Sequence, residues 1–188
     1  MPQKLIKIGV LIFALLFIAE VKAQDQWIVA DKKTVRLDPK MFSQLPKTII
    51  SDLTRRRCTI PQSYIQPGSH NVIKGEFKIK GQKDWAVLCS RKGVSSILIY
   101  WNGSIKNASS IASAEDKDFL QGIGGDEIGF SRVLGVANAK YIDDHFKAYG
   151  GTTPPVIAHN GIINAFAEKA SKVLYRHRGK CLTLQGAD

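Results

Sequence analysis

Motifs that would announce a catalytic centre are missing from this chain. It has no Gly-x-Ser-x-Gly elbow, no zinc-protease helix motif, no P-loop and no Cys-x-x-Cys pair, so the familiar signatures of serine hydrolases, metalloproteases, phosphate-loop enzymes and dithiol oxidoreductases are absent. No cofactor motif is present. Negative charge is scarce, with 16 Asp and Glu against 27 Lys and Arg, a formal balance of +11. Low-complexity runs and charged tails are absent, and with 44% apolar and 23% charged residues the composition is that of a globular protein. The one long apolar run, residues 8–18, is shorter than the ~20 residues a spanning helix requires.

That run reads as the core of a secretory leader. Lys4 and Lys7 precede it, and Val21-Lys22-Ala23 places small residues where a signal peptidase cuts. The expected leader is 1–23, and the mature chain, 24–188, has the length of a single globular domain. Ala23 and Gln24 occupy the point where a lipid anchor would need cysteine. Removing the leader takes away Lys4, Lys7, Lys22 and Glu20 and leaves a net charge of +9. The expected location is periplasmic or secreted, where a basic surface suits anionic partners such as lipid head groups, wall polymers, acidic glycans or acidic proteins. No specific nucleic-acid motif stands out.

Three cysteines remain, Cys58, Cys89 and Cys181. In an oxidising compartment one disulfide is expected and one thiol is left over. Cys58 follows a predicted helix and Cys89 lies in a strongly patterned strand, so their bridge would tie helix to sheet. Cys181 is then expected as a small buried hydrophobe in the last strand.

Asp38-Pro39 is a helix start, and Pro46 repeats the signal before a second helix over 47–57, whose Leu45, Ile49, Ile50 and Leu53 form an apolar stripe. Residues 71–78 alternate as a half-exposed strand. Residues 84–91 (DWAVLCSR) and 94–101 (VSSILIYW) are apolar on both faces and flank Lys92-Gly93, which predicts a hairpin central to a sheet. Residues 133–142 give a further strand, Asp143-Asp144 would cap a short helix, and 171–177 with 181–184 form a closing hairpin turning at 178–180. The fold class is α+β and β-dominated: an antiparallel sheet around the hairpin at about 84–101, short N-terminal helices and a C-terminal hairpin.

Two blocks carry a resemblance. Gly75-Glu76-Phe77 with Gly81-Gln-Lys-Asp-Trp-Ala-Val-Leu-Cys-Ser90, and His159-Asn-Gly-Ile162 with Leu184-Gln-Gly-Ala-Asp188, resemble a group of uncharacterised secreted bacterial proteins. The Gly-x-Phe, spacer, Asp-strand pattern is also distantly similar to FG-GAP repeats of β-propellers, which implies an extracellular binding role. Those repeats carry an acidic calcium loop, whereas the corresponding residues here, 78–84, are basic on balance, with three Lys against one Asp.

Asp143, His145 and His159, with Asp144, form the one grouping with the chemistry of an acid–base or metal site; the competing reading makes the acids a helix cap and the histidines structural. Arg55-Arg56-Arg57 is the densest cationic cluster, although cations at a helix C-terminus also complement the dipole. Trp101, at a strand end beside Asn102-Gly103, is the candidate stacking surface. Asn102 and Asn107 head glycosylation sequons. Gly122-Ile-Gly-Gly125 precedes Asp126-Glu127, which would repel a phosphate, so it reads as a turn. Together these features describe an exported, non-catalytic module that binds an envelope or extracellular partner of anionic character. A hydrolase of wall or glycan material, or an inhibitor of an exported enzyme, is the alternative; convergence of Asp143, His145 and His159 in one pocket would favour the hydrolase.

Overall fold

Two antiparallel four-stranded sheets lie face to face, with a helix against the outer surface of each, in a computed structural model that describes residues 26–186. The expected leader lies outside the described residues. Helix α1 covers 26–33, and β1 (Arg36–Leu37) pairs with β2 (Ile60–Pro61) around a 3₁₀ turn (Pro39–Met41) and helix α2 (Lys47–Arg55). The first sheet contains β3 (Val72–Gly75), β4 (Asp84–Arg91), β5 (Val94–Tyr100) and β6 (Ser109–Glu115). A separate hairpin, β7 (Leu120–Gly124) and β8 (Glu127–Phe130), follows. The second sheet holds β9 (Arg132–Ala137), β10 (Gly161–Phe166), β11 (Ala170–His177) and β12 (Lys180–Gln185), with helix α3 (Ala139–Tyr149) between β9 and β10. In each sheet the spatial order follows the chain.

The period of two sorts the side chains between layers. From β4 and β5, Trp85, Val87, Cys89, Leu98 and Tyr100 turn outward onto Phe42, Leu45, Ile49 and Leu53 of the α2 region. Ala86, Leu88, Ile97 and Ile99 turn inward, where they meet Leu134, Ile162 and Leu174 of the second sheet, Leu120 and Phe130 of the β7–β8 hairpin, and Ala30 of α1. On the far side Ala137, Val173, Tyr175 and Leu184 pack against Ile142 and Phe146 of α3. This is why 84–101 is apolar on both faces. Each fully buried Ile or Leu contributes roughly 1.5–3 kcal/mol to such a core.

Local signals account for the ends of the elements. Asp38 accepts a hydrogen bond from the Lys40 N–H at 2.8 Å, with Pro39 in the first helical position, as expected. At the β4–β5 turn Lys92 and Gly93 both have positive φ, 51° and 77°, which matches the twist of a two-residue hairpin. The disulfide joins Cys58 to Cys89 with Cα atoms 5.1 Å apart, tying the end of α2 to β4. The predicted cap at Asp143-Asp144 is corrected. Helix α3 begins earlier, capped by Asn138, whose side chain accepts from the Tyr141 N–H at 2.7 Å, so both acids sit mid-helix and pair with Lys147 and Lys140.

Asn71 joins the two sheets along the side where β3 meets β9. Asn71 donates to the carbonyls of Pro61 (2.7 Å) and Arg132 (3.0 Å) and accepts from the Leu134 N–H (2.9 Å), binding the β3 side to β9. On the other side β6 and β12 are both edge strands, and the sheets part.

Candidate functional site

Between those edges runs a cleft of about 710 Å³. One wall is the edge of β6: residues 111–114 line it consecutively, so the strand presents its side rather than a face. The other wall is the inner face of β11 and β12, where Ala170, Lys172 and Leu174 alternate along one strand and Cys181, Thr183 and Gln185 along the other. At one end the cleft adjoins an apolar pocket of about 130 Å³ lined by Phe77, Ile99, Trp101, Ile111, Ile162, Leu174 and Arg176. Ile111, Leu174 and Cys181 belong to both.

Trp101 is half-buried rather than free. Its indole N–H donates to Ser109 Oγ at 2.8 Å, and the Arg176 guanidinium lies 5.2 Å from the ring centre, so one side of the ring is already occupied by a cation–π contact. Trp101 lines the small apolar pocket rather than the cleft itself. Cys181, expected in the core, is an exposed free thiol on the cleft wall because the odd residues of β12 point to the uncovered inner face. Burial among its neighbours raises the thiol pKa and Arg176 lowers it, with a net shift upward, so the thiolate is not favoured.

The opposite end of the cleft is organised by Arg132, a fully buried residue that sequence reasoning passed over. Its guanidinium donates to Asn164 Oδ1 (2.9 Å), the Ser95 carbonyl (3.1 Å) and hydroxyl (2.9 Å), and the Ala112 carbonyl (2.5 Å), and it lies 4.5 Å from the Phe119 ring centre. It therefore ties β9 and β10 to β5 and β6. No carboxylate pairs with it among the described residues, and burial pushes its pKa down to about 10, partly offset by Asp116. Ala112, whose carbonyl it holds, sits in a bulge of β6 at φ 51°. Asp116 is buried close by: it accepts from Ser90 Oγ (2.5 Å) and Arg36 (2.9 Å), which in turn pairs with Asp31 at the end of α1.

Positive charge collects at the Trp101 end. The β3–β4 loop carries Lys78, Lys80 and Lys83, the loop after Trp101 carries Lys106, and the β11–β12 turn carries Arg178 and Lys180, all exposed. Asp84 holds two of these loops together by accepting from the N–H groups of Lys78 (2.9 Å) and Asn102 (2.7 Å). Glu76 and Asn160 exchange hydrogen bonds of 2.9 Å, bringing the second sheet to the same end. Among the described residues none of these six cations is in an ion pair. At the other ends of the strands Glu115, Asp118 and Glu168 lie among Arg91, Lys92, Lys117 and Lys169, and Glu115 pairs with Lys117 at 2.6 Å.

The other predicted residues do not join this cleft. Arg55 and Arg56 are engaged with buried Asp52 at the end of α2, and Arg57 is exposed beyond them at φ 59°. Asp143 is exposed and bound to Lys147, whereas His145, two residues on, turns inward, where its Nε2 donates to the Gln185 carbonyl at 3.0 Å between Tyr141 and Tyr149. The His159 ring meets the neighbouring Asn160 carbonyl at 2.9 Å. The three share no hydrogen bond, and among the described residues no cluster of His, Cys, Asp or Glu is placed to hold a metal ion. The chain matches no family model, no curated protein and no solved structure, so its chemistry is read from the cleft alone.

Proposed function

We propose that the protein is a non-catalytic binding module that captures an anionic partner outside the cytoplasm along the cleft between β6 and the β11–β12 hairpin. One observation carries this reading: six exposed cations without ion-pair partners among the described residues gather around one end of a partly apolar cleft, while at the other end the acids Glu115, Asp118 and Glu168 are interspersed with Arg91, Lys92, Lys117 and Lys169. A cationic rim attracts anions from a distance, and the apolar floor gives close contact. The buried disulfide is compatible with an exported protein, and no described helix is long and apolar enough to cross a membrane. Polyphosphate titration at low and moderate salt tests the reading. Lys106→Glu with Lys180→Glu is expected to lower affinity at least tenfold. Lys40→Glu with Lys47→Glu, which changes net charge equally near α2, is expected to change it no more than threefold. Equal losses from both pairs would reduce the cleft to a bystander.

A further inference from the structure

We infer that the partner is an acidic polypeptide held in extended form, added to β6 as a fifth strand of the first sheet. The inference rests on the binding reading above and names the class of partner. The first sheet stops at β6, leaving the inner face of β11 and β12 without a strand above it. The space is thus bounded by the free edge of β6, where the Ala112 carbonyl is taken by Arg132, and by a sheet face on the other side. An extended chain fills both, because its own backbone pairs with an edge while alternate side chains reach the face beneath.

Three features favour a peptide over a lipid or polymer. β6 (Ser-Ser-Ile-Ala-Ser-Ala-Glu) has neither Lys nor Pro, two of the devices that defend an edge, its one bulge is confined to the Ala112 region, and its small side chains allow close approach. Its bulge at Ala112 is held by Arg132 from inside, so the edge is kept in one shape before a partner arrives. The exposed face is mixed rather than greasy: Lys172, Thr183 and Gln185 stand beside the apolar Trp101 pocket, a lining suited to alternating side chains and poor for an acyl chain. Charge selects the sign, since Lys172 and Arg176 lie on this face and a second copy of a chain carrying +9 after leader removal would be repelled.

The probe is a synthetic dodecapeptide alternating Glu and Val, with three controls: its Lys–Val counterpart, a version N-methylated at every second amide, and polyphosphate. Affinity, hydrogen exchange of amides 109–115 and alkylation of Cys181 are measured on the mature, disulfide-intact protein. The acidic peptide is expected to bind at least tenfold more tightly than the basic one, to lose at least tenfold on N-methylation, to slow exchange at least tenfold within 109–115, and to protect Cys181. If polyphosphate binds but the peptide does not, or the peptide binds without protecting 109–115, strand addition is wrong while the anionic reading stands. If neither binds, both are wrong. Concentration-dependent protection of 109–115 in the protein alone would assign the edge to a second copy and overturn the peptide.

Discussion

At Ala112 a residue with a β-carbon occupies the left-handed region, φ 51°, inside a strand. Such a conformation costs of order 1 kcal/mol outside glycine, and it persists because Arg132 pins the carbonyl. Ala112→Gly is therefore expected to raise stability by about 0.5–1 kcal/mol in urea unfolding, opposite to the usual effect of glycine in a strand. Arg132→Ala should cost about 3 kcal/mol or more, since Asn164, Ser95 and Ala112 all lose a buried donor. Asp52 shows how a carboxylate links stability to pH. Burial alone would raise its pKa, but hydrogen bonds from Arg56, Arg55 and Tyr100 outweigh burial and hold it below the ordinary value. A lowered folded pKa gives stability that is complete above the unfolded Asp value of ~3.9 and is lost as pH falls through the folded value. Asp52→Asn is expected to lose stability at pH 7, with the gap to wild type closing below pH ~4, as read from urea midpoints across the pH range.

Among the elements, those packed on both faces are the ones legible in advance. β4 and β5 lie between α2 and the second sheet, so both faces of their central stretches, 85–89 and 97–100, are apolar and β-rich, and their bounds follow. The β6 edge and the β7–β8 hairpin are built from Ser, Ala and Gly with one or two apolar anchors; they form strands because neighbours pair with them, a tertiary cause that leaves no period in the residues. The cleft was illegible for a related reason: Ile111, Leu174 and Cys181 are brought together only by the parting of two sheets. Cys58 and Cys89 were readable because each sat at a clear boundary, the end of a helix and the middle of a strand. Their bond closes a loop with a sequence separation of 31 residues. Replacing both by Ala is expected to lower unfolding free energy by about 3–4 kcal/mol, as loop-closure entropy requires, and thermal unfolding would show it.

Across the molecule, the Trp101 end carries cations without ion-pair partners, whereas at the Arg132 end acids and cations are interspersed and Glu115 pairs with Lys117. An anion approaching the first feels a field that salt weakens, because the Debye length is only ~10 Å at 0.1 M ionic strength. Polyphosphate affinity should therefore drop at least tenfold between 50 and 300 mM salt, and occupancy should shift Trp101 fluorescence. Trp101→Phe would abolish that shift while Trp85, buried against α2, remains.

The order of cysteines along the chain has its own consequence. A polypeptide leaving an export channel N-terminus first presents Cys58 and Cys89 while Cys181 is still behind it, and the sheet that joins the first two is complete in sequence by residue 115. The bond can close on the first half of the sandwich before the third thiol arrives. On the export route proposed above, chain order would guard against wrong pairing without any specialised contact, and a circular permutant that brings residues 161–186 ahead of residue 58 would be the form in which scrambled disulfides appear.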